Sequence, residues 1–243
     1  PVYKVIGSQR DKVPAYASAP YFDDLKEHAS FALECKGKGY RALKLKPSGG
    51  PRQRMLSVPE VKKIALEVRE AVGDDMELML DGQLVFNYEE ALELGYHLEK
   101  LNYKWFEDPV RHIDCEAIRG LCRKLNIPIA LSDHWDFGYD EAVQAIRQYE
   151  GLKILRGDVW KEGITGLKKL CSIADGFNMN CEAHVGALEN LHVILSVNNC
   201  DYYEDVYLNA IDEEGFVTAP ATPGIGYDSD YINSFIKNAK QVF

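Results

Sequence analysis

The chain has 243 residues, of which 46% are hydrophobic, and a formal net charge of −10. This apolar fraction supports a full core, no apolar run reaches the length of a membrane span, and the acidic charge argues against nucleic acid or anionic membranes as partners. The six cysteines form no CxxC pair and the first ten residues lack the apolar stretch of a secretory signal, so we expect reduced thiols in a cytoplasmic protein.

Strand and helix patterns alternate along the chain. Near-continuous apolar strands separated by amphipathic helices are typical of a parallel sheet, and eight such strands indicate a closed barrel. We therefore predict an α/β fold, a TIM-type (β/α)7β barrel in residues 13–218, followed by an irregular Pro- and Gly-rich tail in 219–243. The predicted strands are 13–18, 40–46, 76–81, 104–108, 127–133, 152–158, 179–184 and 202–208, and the predicted helices are 23–37, 58–71, 88–100, 114–125, 139–149, 164–175 and 187–197.

A loop rich in Gly, Pro and Arg, PSGGPRQRML (47–56), follows the second predicted strand. It would lie at the C-terminal mouth of the barrel, where catalytic residues of such barrels lie. Two interpretations are open for Arg52 and Arg54, namely contact with a substrate or exposure in a solvated loop.

Three acidic residues stand at the ends of consecutive predicted strands. Asp81, Glu107 and Asp133 follow one another at intervals of 26 residues, which is about the length of one β/α unit. Because the C-terminal ends of parallel strands meet at the barrel mouth, we expect these carboxylates to converge. Hard divalent cations prefer oxygen ligands, so the pattern predicts a Mg²⁺ site.

Two lysines end the second strand. Lys44 and Lys46 are two residues apart and share a face, while Leu43 and Leu45 would face the helices. Both ammonium groups are therefore expected inside the barrel, although solvated lysines at a strand end are the plainer alternative. A lysine beside another cation and a metal has a lowered pKa, which makes it a candidate general base.

A histidine and two further carboxylates end the last three strands. Asp158 ends strand six, His184 ends strand seven, and Glu204 lies at the same level on strand eight. Asp158 is placed to orient His184 and to raise its basicity. With the lysines opposite, this arrangement suits removal of a proton α to a carboxylate, because a divalent cation stabilises the developing charge and two bases can act on opposite faces.

At these residues the chain resembles the enolase superfamily, and within it the mandelate racemase subgroup of the mandelate racemase/muconate lactonizing enzyme family. The matching segments run in family order over nearly the whole chain: ALKLKP, LMLDGQ, KWFEDP, LSDHWD, LRGDVWKEGITG, EAHVG and YYED. Enzymes of this superfamily use a Lys or His base and Mg²⁺. The resemblance implies the following roles: Asp81, Glu107 and Asp133 as ligands of Mg²⁺ (or Mn²⁺), Lys46 as one acid/base, Lys44 near the substrate carboxylate, His184 with Asp158 as the other acid/base, and Glu204 as a hydrogen-bonding partner of that carboxylate.

The chain departs from the family pattern at several positions. The third ligand is usually Glu, whereas here it is Asp133, one methylene shorter, and Gly82-Gln83 follow Asp81 where Asn is common at the second position. The family also carries an N-terminal capping domain whose loops close over the substrate. We expect this chain to lack it, with residues 1–12 forming the linker from the cap to the barrel.

The resemblance implies a small anionic carboxylate as substrate. We expect a Mg²⁺-dependent lyase that dehydrates a sugar acid to a 2-keto-3-deoxy acid. A racemase or epimerase would use the same residues and differ only in whether a β-hydroxyl departs. A non-catalytic binding or structural barrel and a barrel that hydrolyses its substrate with metal-activated water are further alternatives. Because relatives commonly form symmetric assemblies, we also expect a homo-oligomer.

Overall fold

Eight parallel strands alternate with helices around a common core, which confirms the predicted (β/α)7β barrel. The computed structural model describes residues 1–46, 48–49, 54–131 and 139–227. In chain order, the strands are β1 (Lys12–Ser18), β2 (Ala42–Leu45), β3 (Ser48–Gly49), β4 (Arg54–Met55), β5 (Glu77–Asp81), β6 (Trp105–Glu107), β7 (Ile129–Leu131), β8 (Ile154–Gly157), β9 (Asn180–Ala183), β10 (Tyr203–Asp205) and β11 (Phe216–Thr218). The helices are α1 (Val2–Ile6), α2 (Glu27–Gly37), α3 (Val58–Val72), α4 (Tyr88–Lys100), α5 (Cys115–Lys124), α6 (Tyr139–Gln148), α7 (Val159–Gly176) and α8 (Leu188–Ile194).

The barrel strands pair in parallel in the order β10, β1, β2, β5, β6, β7, β8, β9. Between β9 and β10, both of which the structure describes in full, the backbones form no ladder. Side chains bridge this seam instead. Glu182 on β9 accepts hydrogen bonds from the backbone N–H groups of Asp201 and Tyr202, and Glu204 on β10 accepts one from Val185.

Four short elements were not predicted from the sequence. Helix α1 lies within residues 1–12, strands β3 and β4 pair within the 47–56 segment, and β11 pairs antiparallel with β1. Each has five residues or fewer, which is too short to show a hydrophobic period. Arg52 lies outside the described residues, and Arg54 is described only as part of β4.

Local capping explains where two of the helices begin. At α3, the backbone N–H of Ser57 donates to Glu60, and Pro59 occupies the first turn. At α4, Asn87 and Glu90 form the same reciprocal arrangement. Both helices therefore begin where the sequence pattern predicted.

Two apolar layers surround the strands. Leu43 and Leu45 belong to the large core between the strands and the helices. A smaller cluster fills the barrel interior, where Tyr16 and Trp105 meet edge to face with ring centroids 5.7 Å apart. Because side chains alternate along a strand, Lys44 faces this interior, above an aromatic floor. No helix in the described part of the chain is long and apolar enough to cross a membrane.

Candidate active site

A cavity of about 170 Å³ opens at the C-terminal ends of the strands. Its wall is formed by the C-terminal ends of β2, β5 and β10 and by the segment that follows β9. It brings together five of the residues that the sequence predicted for the site, namely Lys44, Lys46, Asp81, His184 and Glu204. Asp133 lies outside the described residues. The lining side chains are Tyr21, Lys44, Lys46, Asp81, Gln83, His184, Val185, Glu204 and Val206.

Four charged side chains form a buried network below the cavity. Lys44 Nζ lies 3.0 Å from Glu107 Oε2 and 3.0 Å from Glu204 Oε1. Arg156 contacts the same two carboxylates, with Nε 3.2 Å from Glu107 Oε1 and Nη2 2.7 Å from Glu204 Oε2. Each of the four side chains is at most 3% exposed. The two cations and the two anions therefore neutralise each other, and this happens in a region that water barely reaches.

The network corrects one expectation about Lys44. Burial and the Arg156 guanidinium lower the pKa of Lys44, but Glu107 and Glu204 outweigh them and hold it well above its ordinary value. Burial raises the pKa of Glu204, yet Lys44 and Arg156 bring it well below its ordinary value. Lys44 is therefore a fixed ammonium group, and the lowered pKa expected beside a second cation is wrong for this lysine.

Lys46 has a different environment. Its side chain is half-buried, and Nζ lies 5.5 Å from the centroid of the Tyr21 ring. Lys46 lines the cavity, and its amine is not part of the network that Glu107 and Glu204 form with Lys44. Both lysines line the cavity, but only the Lys44 amine is held by Glu107 and Glu204, so Lys46 is the better candidate for moving a proton.

Asp158 and His184 meet at the ends of neighbouring strands. His184 Nδ1 lies 3.3 Å from Asp158 Oδ2, and the other carboxylate oxygen accepts a hydrogen bond of 3.0 Å from the backbone N–H of Trp160. Asp158 is thus the N-cap of α7. This helix begins five residues before the predicted helix 164–175, and its helical backbone is interrupted at Gly163, where φ is 68°. The cap holds the carboxylate still, and the carboxylate orients the imidazole.

Two of the three expected metal ligands lie side by side. Asp81 and Glu107 are in-register partners on β5 and β6. Glu107 is fully buried and accepts hydrogen bonds from Lys44 and from Trp105 Nε1 at 3.2 Å. No group of three or more His, Cys, Asp or Glu residues in the described part of the chain is placed to hold a metal ion. Adjacent carboxylate oxygens are the donor type that Mg²⁺ prefers, so Asp81 and Glu107 fit such a site, which Glu107 would share with Lys44 and Arg156.

Sequence reasoning missed Arg156 and Tyr21. Arg156 is two residues before Asp158 on β8 and shares its face, so strand alternation could have placed it inside the barrel. Its partners could not be foreseen, because Glu107 and Glu204 are far away in sequence. Tyr21 follows β1 in a segment without a recognisable period.

The barrel and the residues at its mouth define the catalytic domain of the enolase fold. A family model described as "Enolase C-terminal domain-like" matches residues 26–232, and the chain belongs to that family. The chain is 28% identical over 251 residues to an arabinonate dehydratase of Saccharolobus solfataricus, in an alignment that covers 93% of the chain and 64% of that enzyme. It is 25% identical over 260 residues to a D-Ala-D/L-Ala epimerase of Cytophaga hutchinsonii, covering 98% of the chain and 67% of the epimerase.

The fold also superposes on solved structures of this family. Against D-glucarate dehydratase from Agrobacterium tumefaciens complexed with magnesium, the TM-score is 0.88 with 32% identity. The match covers 98% of this chain and 68% of that one. This chain therefore spans about two thirds of the length of these relatives.

Proposed function

We propose that the protein removes the proton α to the carboxylate of a sugar acid and expels the β-hydroxyl, giving a 2-keto-3-deoxy acid. The observation that carries this proposal is that Lys46 and His184 line one cavity together with Asp81 and Glu204, and that Asp158 contacts His184 from behind. A site with two acid/base groups, fixed positive charge and carboxylate oxygens for a cation is suited to this reaction.

The two acid/base groups have separate tasks in this proposal. Lys46 takes the α-proton at its Nζ. His184 gives a proton from Nε2 to the departing hydroxyl, while Nδ1 stays oriented toward Asp158. Lys44, kept protonated by Glu107 and Glu204, supplies a fixed positive charge beside the substrate carboxylate.

A divalent cation would be held by Asp81 and Glu107, with Asp133 as the expected third ligand. When bound, Mg²⁺ supplies Lewis-acid stabilisation of the negative charge that develops on the substrate carboxylate. The magnesium complex of D-glucarate dehydratase supports this ion, and Mn²⁺ is the alternative. The substrate class rests on the dehydratases of arabinonate and D-glucarate, both named for sugar acids.

Racemisation or epimerisation is the second candidate. The same Lys46 and His184 would remove a proton from one face and return it to the other, and the epimerase among the relatives favours keeping this alternative. The fixed ammonium of Lys44 and the second base at His184 are not accounted for by a metal-dependent hydrolase or a purely structural barrel.

The test is incubation of the purified protein with Mg²⁺ and a panel of aldonic and aldaric acids, followed by detection of 2-keto acids. We expect a 2-keto product from at least one acid, and loss of product in Lys46→Ala and His184→Asn. Substitution of Asp23, an exposed residue outside the cavity, by Asn serves as a control that keeps activity. Exclusive formation of α-epimers would contradict dehydration and establish the second candidate.

All six cysteines are free thiols, five of them buried, which supports a reducing compartment and a cytoplasmic location. Homo-oligomerisation stays a prediction, which light scattering of the purified protein would test.

A further inference from the structure

A buried amide lies behind the Asp158–His184 pair. Asn190, the third residue of α8, is fully buried. Its Nδ2 lies 3.3 Å from Asp158 Oδ1, 2.7 Å from the carbonyl oxygen of His184 and 3.0 Å from that of Val185. Its Oδ1 accepts a hydrogen bond of 3.0 Å from the backbone N–H of Val159. One side chain thus contacts both members of the pair and the residue that follows each of them.

These contacts require an amide in one orientation. A carboxamide has two N–H donors and one carbonyl acceptor, and Asn190 directs its donors at three oxygens and its acceptor at an N–H group. Reversing the amide would set its oxygen against two backbone carbonyls and the Asp158 carboxylate. Because the residue is fully buried, water cannot compensate for such a loss.

The amide also supports a strained residue next to the histidine. Val185 has φ of 61°, in the left-handed region that β-branched residues rarely adopt. Its N–H donates to Glu204 Oε2 at 3.0 Å, and its carbonyl accepts from Asn190. Two buried side chains therefore hold this backbone from opposite sides, and they determine where the chain turns after His184.

We propose that Asn190 is a positioning residue that locks the imidazole of His184 onto Asp158 by holding the Asp158 carboxylate and the backbone of His184 and Val185 together. It is not among the residues that line the cavity, and it acts only through the pair. The effect of Asn190 on catalysis rests on the proposed function, whereas its effect on the position of His184 can be measured without any substrate.

The experiment follows the ring nitrogens of His184 by NMR in substrate-free protein with ¹⁵N-labelled histidine, with the signal assigned through His184→Gln. Asn190→Ala removes the donor to Asp158 and loosens the pair. We expect the pKa of His184 to fall by roughly half a unit or more, because the imidazolium loses its close carboxylate. Asp158 and Glu204 lie near His184, and Lys44, Lys46 and Asp81 line the same cavity. Asn190→Asp keeps the shape but adds a carboxylate beside Asp158, so we expect the pKa of His184 to rise.

Asn199→Ala is the matched control. Asn199 donates from Nδ2 to two backbone carbonyls, those of Cys171 at 2.9 Å and Met179 at 3.1 Å, near the opposite end of β9. We expect a comparable loss of melting temperature and no change at His184. Unchanged titration of His184 in Asn190→Ala, or shifts in the same direction in the Ala and Asp variants, would overturn the proposal. If Asn190→Ala does not fold, the upward shift in Asn190→Asp decides alone.

Failure of the proposed function would appear separately. In that case the wild-type protein would convert no acid in the panel, while the NMR response of His184 would still test Asn190. If the function holds, Asn190→Ala is expected to lower kcat more than it changes KM, because substrate contacts stay in place.

Discussion

Arg156 and Glu204 form a buried ion pair inside the barrel, with Nη2 2.7 Å from Oε2. The guanidinium extends from β8 and the carboxylate from β10, and Nη1 of Arg156 also donates to the Tyr16 hydroxyl at 3.1 Å. With Lys44 and Glu107, this pair keeps the buried charge of the network at zero. The mouth of the barrel therefore lies directly above a buried layer of two cations and two anions whose charges cancel.

Arg156→Met is expected to destabilise the fold by roughly 3–5 kcal/mol, because it leaves two buried carboxylates with one cation, Lys44. Urea denaturation measures this loss. Arg123→Met is the control, since Arg123 and Glu150 pair at 3.1 Å on the surface with side chains 58% and 79% exposed. Such a pair is worth under about 1 kcal/mol. Equal losses in the two variants would show that the buried network does not stabilise the fold.

Gly82 allows close contact between the segments that follow β5 and β6. A Cβ at Gly82 would lie 2.6 Å from Pro109 Cα and 2.9 Å from the Asp108 carbonyl oxygen, both of them backbone atoms. Gly82→Ala should therefore push Asp81 away from Glu107 and cost about 1–3 kcal/mol in urea denaturation. Gly37→Ala, where a Cβ meets nothing within 4 Å, should be neutral or slightly stabilising. An unchanged free energy of unfolding in Gly82→Ala would contradict this close contact between Gly82 and the backbone of Asp108 and Pro109.

Much of this site was predictable, for reasons visible in particular residues. Alternation along β2 placed Lys44 inside because Leu43 and Leu45 must face the helices, and the strand ends placed Asp81 and His184 at one mouth. The contacts of Arg156 with Glu107 and Glu204 were not predictable, because they join three strands that are distant in sequence. The pKa of Lys44 follows from those contacts, so the sequence alone pointed in the wrong direction.

Glu182 predicts a pH dependence of stability. Burial and the nearby Asp201 raise its pKa from 4.5 to about 7 in the folded protein. The folded state therefore holds a proton that the unfolded state releases, so this contribution is complete below pH 4.5 and is lost as the pH rises to about 7. The loss amounts to about 3 kcal/mol, from a pKa difference of roughly 2.5.

Urea denaturation between pH 4.5 and 8 measures this dependence. We expect the fall in stability to be smaller in Glu182→Gln, whose amide cannot ionise. Glu150→Gln, at a position on the surface, should keep the wild-type slope. Identical slopes in Glu182→Gln and wild type would mean that Glu182 ionises normally in the folded protein.

Mg²⁺ is expected to stabilise the folded chain by mass action, by about 2.7 kcal/mol at 100 times its Kd. Asp81→Asn should abolish this gain, because an amide is a poor substitute for a carboxylate ligand. Asp75→Asn changes an exposed aspartate paired with Lys36 and should leave the response intact. Calorimetric melting with and without Mg²⁺ distinguishes the variants, and an unaltered response in Asp81→Asn would exclude Asp81 as a ligand.

The central claim is that Lys46 removes the α-proton of a carboxylate substrate and that His184 protonates the departing β-hydroxyl. Proton NMR in D₂O, with Mg²⁺ and a panel of sugar acids, tests it most directly. We expect the α-proton of at least one acid to be lost or exchanged by the wild-type protein, and we expect Lys46→Ala to abolish this exchange. Exchange that persists at the wild-type rate in both Lys46→Ala and His184→Asn would contradict the assignment of these two residues.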